Sequence, residues 1–244
     1  MEKTKKYKKP PLIEAVFELF FQSNNWSPAT PGILYSRISK QYPIITQSGG
    51  GFGISLGNQG VQIGGGNNNL TQFKSTDNSS IIQLSNNLLT VNQLPKYDGW
   101  ESYRKMIVDA ISHLFDILEI TTIVRVGLRT INKIDIKAHN YENFRNHFNV
   151  YPTLPESTDN NLNSIQISYE TPFRENQVLA VNLGTLRKEP NYEAPVLFQL
   201  YFTKLTSIDR SSTEKWLDKA HDELHGAFDS ILTSDSKKTF DNEQ

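Results

Sequence analysis

From Pro11 to Phe21 the chain reads PLIEAVFELFF, with Ile13, Ala15, Phe17, Leu19 and Phe21 facing one way and Leu12, Glu14, Val16, Glu18 and Phe20 the other. This period of two predicts a long strand. Thr30-Pro31 then opens a predicted short helix to about Gln41, because proline fits a first helical turn, with Ile33, Leu34 and Ile38 on its buried side and Pro43 beyond its end. Between Ser48 and Asn69 glycine and asparagine dominate, and the apolar runs Phe52 to Leu56 and Val61 to Ile63 flank Gly57-Asn-Gln-Gly60, which predicts a glycine-rich hairpin. Ser80 to Ser85 and Leu88 to Leu94 flank Asn86-Asn87, a pair suited to a tight turn between two further strands.

Helical spacing follows. Tyr103, Met106, Ile107, Ala110, Ile111, Leu114 and Leu118 recur behind Asp98-Gly-Trp-Glu101, which has the form of a capping box and predicts a helix over about 98–118. Thr121 to Ile136 returns to alternation, with Val124, Val126, Leu128, Ile134 and Ile136 set against Arg125, Arg129 and Lys133, as in a strand with one charged face. Strands are also predicted at 163–170, 177–185 and 196–204. Trp216, Leu217, Ala220, Leu224, Phe228, Ile231 and Leu232 mark a last helix over about 212–232, behind the second capping-box pattern Ser211-Ser-Thr-Glu214.

These elements predict an α+β fold, mainly antiparallel sheet with two long helices on one side. The order of long strand, short helix or turn, hairpin strands and capped helix recurs, so an internal duplication with halves 10–118 and 119–233 is expected. The predicted organisation is a basic arm at 1–9, one α+β domain at 10–233 and a polar tail at 234–244 with little reason to be ordered.

An apolar fraction of 37% with 11% aromatic residues suffices for a packed core in 244 residues. Absence of cysteine removes thiol nucleophiles, disulfides and thiolate metal sites, and fits a reducing compartment. No stretch nears about 18 consecutive apolar residues, and the start lacks the apolar region of a signal peptide, so a cytoplasmic protein without membrane contact is expected. Net charge is −1, yet Lys3, Lys5, Lys6, Lys8 and Lys9 stand against Glu2 alone at the start. That cluster is read as a solvated tail or as an arm that meets nucleic acid or an acidic partner.

Candidate chemistry is sparse. Gly51-Phe-Gly53 and Gly64-Gly-Gly66 resemble phosphate loops, but neither leads into a helix or a Lys-Ser/Thr pair. His221 and His225 are spaced to face one metal, but no third ligand accompanies them, and His113, His139 and His147 have no triad context, so neither a metal site nor a cofactor is expected. Glu14 and Glu18 share one strand face about 13 Å apart, too far for a glycosidase pair. Their expected partners are Arg125 and Arg129, at the same spacing on another strand, as ion pairs organising a sheet face or as the lining of a polar groove.

The segments Lys9-Pro-Pro-Leu-Ile-Glu-Ala-Val-Phe-Glu-Leu, Ile82-Gln-Leu-Ser-Asn-Asn-Leu-Leu-Thr-Val-Asn-Gln, Tyr97-Asp-Gly-Trp-Glu and Arg125-Val-Gly-Leu-Arg-Thr-Ile-Asn-Lys-Ile together resemble the signature of a small, sporadically distributed and largely uncharacterised bacterial family. The likeness covers roughly the first 135 residues by segment and the remainder by element order. It carries over no catalytic residue. It implies a place in antiviral defence, as a homodimeric accessory factor of the kind encoded beside type II CRISPR systems, which binds the RNA-guided nuclease and strengthens its hold on DNA. The expectation is therefore a non-enzymatic binding protein. The alternatives are a small-ligand-sensing or antitoxin-like module, and a hydrolase using Glu14, Glu18 and Arg129.

Overall fold

The structure, a computed structural model, describes residues 7–48, 54–57, 60–63, 70–136, 140–173, 176–185 and 196–241. The alternating segments become strands β1 (Leu12–Ser23), β6 (Ser80–Leu84), β7 (Leu88–Gln93), β8 (Ile120–Ile134), β9 (Gln166–Phe173), β10 (Gln177–Thr185) and β11 (Val196–Ile208). Two strands that the sequence pattern did not reveal, β2 (Ile44–Ser48) and β5 (Leu70–Lys74), pair with each other on either side of the glycine-rich stretch. Within that stretch β3 (Ile54–Gly57) and β4 (Gly60–Ile63) form a separate two-stranded sheet. The remaining strands make one nine-stranded antiparallel sheet in the order β2-β5-β6-β7-β1-β8-β11-β10-β9.

Helices α1 (Thr30–Ile38), α2 (Trp100–Ile117), α3 (Tyr141–His147), α4 (Arg210–Ile231) and α5 (Ser234–Thr239) complete the described elements. None is long and apolar enough to cross a membrane. The start signals differ from the predicted boxes. α2 is capped by Gly99 at φ 106° without a side-chain bond, and α4 by Asp209, whose carboxylate accepts from Ser212 N, two residues ahead of Ser211. On α1, Leu34 and Ile38 are buried but Ile33 is 47% exposed, so the apolar stripe is narrower than expected.

The core lies between one face of the sheet and the helices. Phe17, Leu19 and Phe21 of β1, Val126 and Leu128 of β8, and Phe198 and Phe202 of β11 pack with Tyr103, Ile107, Ile111 and Leu114 of α2 and Trp216, Leu217 and Leu224 of α4. Sealing this much apolar surface, at about 25 cal/mol per Å², is the main stabilising term. Alternation breaks at one point. Phe20 opposes Arg125 but Phe21 opposes Ile123, and this bulge turns Val124 outward to 43% exposure, whereas the sequence pattern placed it inside.

Residues 234–241, expected as part of a polar tail, carry helix α5 and a turn after it. Thr233 caps α5 through its hydroxyl, and Phe240 buries itself beside Phe228 and Tyr7. Tyr7 in turn donates to Asp229 at 2.8 Å, and Lys9 N donates to Phe240 O at 2.9 Å, so the segments around Tyr7 and Phe240 are tied to each other and to α4.

The β3–β4 hairpin leaves the β2 end of the sheet and meets β10, near the other end. Both edges of β10 are taken by β9 and β11, and its residues Leu179, Val181 and Leu183 face the core. The hairpin therefore crosses on the face without helices, over the side of Val178, Ala180 and Asn182.

Candidate functional site

That helix-free face is polar and largely buried. Successive pairings carry one row across it through Thr46, Gln72, Gln83, Thr90, Glu18, Gly127 and Thr203. A second row runs through Asn92, Val16, Arg129, Tyr201 and Ala180, and a third through Glu14, Ile131, Gln199 and Asn182. On β1, Glu18 alternates with the core residues Phe17 and Leu19, so the packing that buries these two aims Glu18 to the opposite side. Gln83 and Asn92 are 2% and 1% exposed on a face that carries no helix.

At the centre, Arg129 Nη2 donates to both carboxylate oxygens of Glu18, at 3.1 and 3.2 Å. Its guanidinium stacks 4.4 Å from the centre of the Tyr201 ring. Burial first, and then the nearby Glu18 carboxylate, push the Tyr201 phenol well above its ordinary range. Gly127 lets this ring lie close to the backbone, since a Cβ there would stand 2.5 Å from Tyr201 Cε2.

Glu14 is 4% exposed and accepts from Asn92 Nδ2 at 2.7 Å, while Thr90 Oγ1 donates to Asn92 Oδ1 at 2.8 Å. Burial raises the Glu14 pKa, and the Asn92 donor and the charge of Arg129 oppose that rise. Arg125 lies over Phe20, 3.9 Å from the ring centre. The expected set of two carboxylate–arginine pairs is thus corrected to one. Glu18 pairs with Arg129, but the register puts Phe20 opposite Arg125 and Asn92 beside Glu14.

Three buried polar atoms of this face, Gln83 Nε2, Arg125 Nε and Arg129 Nε, have no hydrogen-bond partner among the described residues, while the Tyr201 hydroxyl lies against the Glu18 carboxylate. Such atoms are uncommon in a folded interior and mark places where something else completes the bonding.

Lys3, Lys5, Lys6 and His139 lie outside the described residues, as do 49–53, 58–59 and 64–69 of the glycine-rich stretch. Lys8 and Lys9 are exposed beside Tyr7, near α5 with its Lys237 and Lys238, and away from the polar face. His221 stacks on Trp100, with ring centres 4.2 Å apart, and His225 faces Asp229 at 3.4 Å. Among the described residues no group of three or more ligand-type side chains is placed to hold a metal ion. The pattern missed Gln83, Asn92, Gly127 and Tyr201 as site residues, although their positions opposite core residues were a readable signal. Comparison of the chain with protein-family models and with curated proteins returns no match.

Proposed function

We propose that this protein is a non-enzymatic accessory factor of bacterial antiviral defence that binds an RNA-guided effector nuclease of a type II CRISPR system as a homodimer. The observation that carries the binding half of this reading is the state of the charged groups on the helix-free face. Glu18 is engaged by Arg129, Glu14 by Asn92, and both guanidinia are stacked on rings. Groups held this way supply a rigid recognition surface, whereas a general base or nucleophile needs a proton-transfer partner in reach. The choice of partner rests on the resemblance of the segments at 9–19, 82–93, 97–101 and 125–134.

Lysines at the chain ends fit the same reading. Lys8 and Lys9 are exposed and tied to the segment that holds Lys237 and Lys238, an arrangement suited to phosphates of nuclease-bound DNA. We also read the fold as a duplication. Its support is the outward strand order, in which β1, β7, β6 and β5 are matched by β8, β11, β10 and β9 about the central β1–β8 pair.

The test is an affinity pull-down of tagged protein from its host, with and without nuclease treatment, followed by mass spectrometry and sizing. Recovery of the effector nuclease after nucleic acid has been digested is the expected result. Recovery of the bait alone, or of one small toxin, would overturn the reading. Charge reversal at Lys8 and Lys9 is expected to weaken DNA retention by the complex and to make what retention is left less sensitive to salt, because fewer counterions are released on binding.

A further inference from the structure

We propose that the helix-free face is a binding site for a small oxyanion, a phosphate- or carboxylate-bearing molecule, centred on Arg125, Arg129 and Tyr201. This goes beyond the partnership proposed above, and either reading can fail without the other.

The unpartnered atoms give the chemistry of the missing group. Arginine Nε and the glutamine amide nitrogen can donate but never accept, and a tyrosine hydroxyl can donate as well. Gln83, Arg125 and Arg129 therefore leave the face short of acceptors, and a buried donor left unbonded is costly. An anion with several acceptor oxygens is the complement of that set.

Charge points the same way. Glu18 offsets Arg129, and Asn92 holds Glu14 in a setting whose burial favours the uncharged acid. Arg125 has a ring for its neighbour and no carboxylate in an ion pair with it among the described residues, and Glu170 follows Tyr201 and Ala180 along the row of Arg129, so Arg125 is the guanidinium of this face best placed to take up an added anion.

Geometry makes the arrangement ready to bind. Both guanidinium planes are fixed by aromatic rings, at 3.9 Å on Phe20 and 4.4 Å on Tyr201, so little rotamer freedom remains to be lost on binding. Gly127 lies between Arg125 and Arg129 on β8, and the Tyr201 ring fills the room that its missing side chain leaves. Gln83 sits three strands from Gly127 along the same row, about 14 Å at ordinary strand spacing, within reach of the far end of an extended ligand.

The experiment is calorimetric titration of the full chain with inorganic phosphate, pyrophosphate and citrate in turn, at matched ionic strength. Binding of at least one at about 1 mM or tighter is expected. Preference for phosphate or pyrophosphate would identify a phosphorylated ligand, and preference for citrate a carboxylate one. Arg125→Met should weaken binding at least tenfold and Tyr201→Phe several-fold, with Arg145→Met on α3 unchanged as the exposed control. Should Arg125→Met not fold, Tyr201→Phe and Gln83→Leu carry the comparison. Failure of all three anions to bind, or equal loss in Arg145→Met, overturns the proposal.

Discussion

Tyr201 lies across Gly127 so closely that a side-chain carbon at position 127 would meet the ring at 2.5 Å and its hydroxyl oxygen at 2.6 Å. The two are diagonal neighbours, since Gly127 opposes Thr203 and Tyr201 opposes Arg129. Glycine in a central strand carries an entropic cost, and the close ring contact explains its use here. Gly127→Ala is expected to destabilise the protein by about 1–3 kcal/mol through overpacking, read from urea denaturation midpoints. In a Tyr201→Ala background the same change should cost little, because the clashing ring is gone. Equal cost in both backgrounds would show that the contact does not limit position 127.

Arg129 and Glu18 form a mostly buried pair, so removing one partner leaves a charge without its counterpart. Glu18→Gln and Arg129→Met should each destabilise by about 2–4 kcal/mol. The double variant is expected to fall well short of the sum of the two, because it leaves neither charge stranded. Additive losses would mean that the two groups do not interact in solution.

How much of this was legible in the sequence follows from range. The long strands β1 and β8 could be read directly, because strict alternation records burial on one face and exposure on the other. β2 and β5 could not, since each is five residues long and its partner lies across the glycine-rich stretch. Val124 was misplaced because a bulge shifts the alternation by one, and the bulge is set by how β1 and β8 fit together. The pairing of Glu18 with Arg129 was anticipated from matching spacings, but the register that gives Arg125 to Phe20 is fixed by the whole sheet. Gln83 and Asn92 are buried polar residues inside two predicted strands, and a burial set by packing on the helix-free face leaves no mark in the local pattern.

The contact between Tyr7 and Phe240 illustrates the same limit and carries a prediction. Phe240 is one apolar residue in a polar stretch, and its value comes from Tyr7 at the opposite end of the chain, edge-on at 5.5 Å. Phe240→Ala should cost about 2–4 kcal/mol and Tyr7→Phe about 1 kcal/mol, the latter for the lost bond to Asp229. Both are measured by chemical denaturation. A Phe240→Ala protein as stable as the parent would mean that α5 is detached in solution.

Glu14 gives the stability of the fold a pH dependence whose sign can be worked out. Its folded pKa is raised by burial above the ordinary value of 4.5, so the folded state holds a proton that the unfolded state has released. Between 4.5 and the folded value, stability therefore falls as pH rises, and it levels off once both states are ionised. Glu14→Gln keeps an oxygen to accept from Asn92 Nδ2 and removes the titration. The variant is expected to lose this downward slope and to gain on the parent as pH increases from 4.5 toward 8, followed as urea midpoints at each pH. Parallel curves for parent and variant would place the Glu14 pKa in the ordinary range.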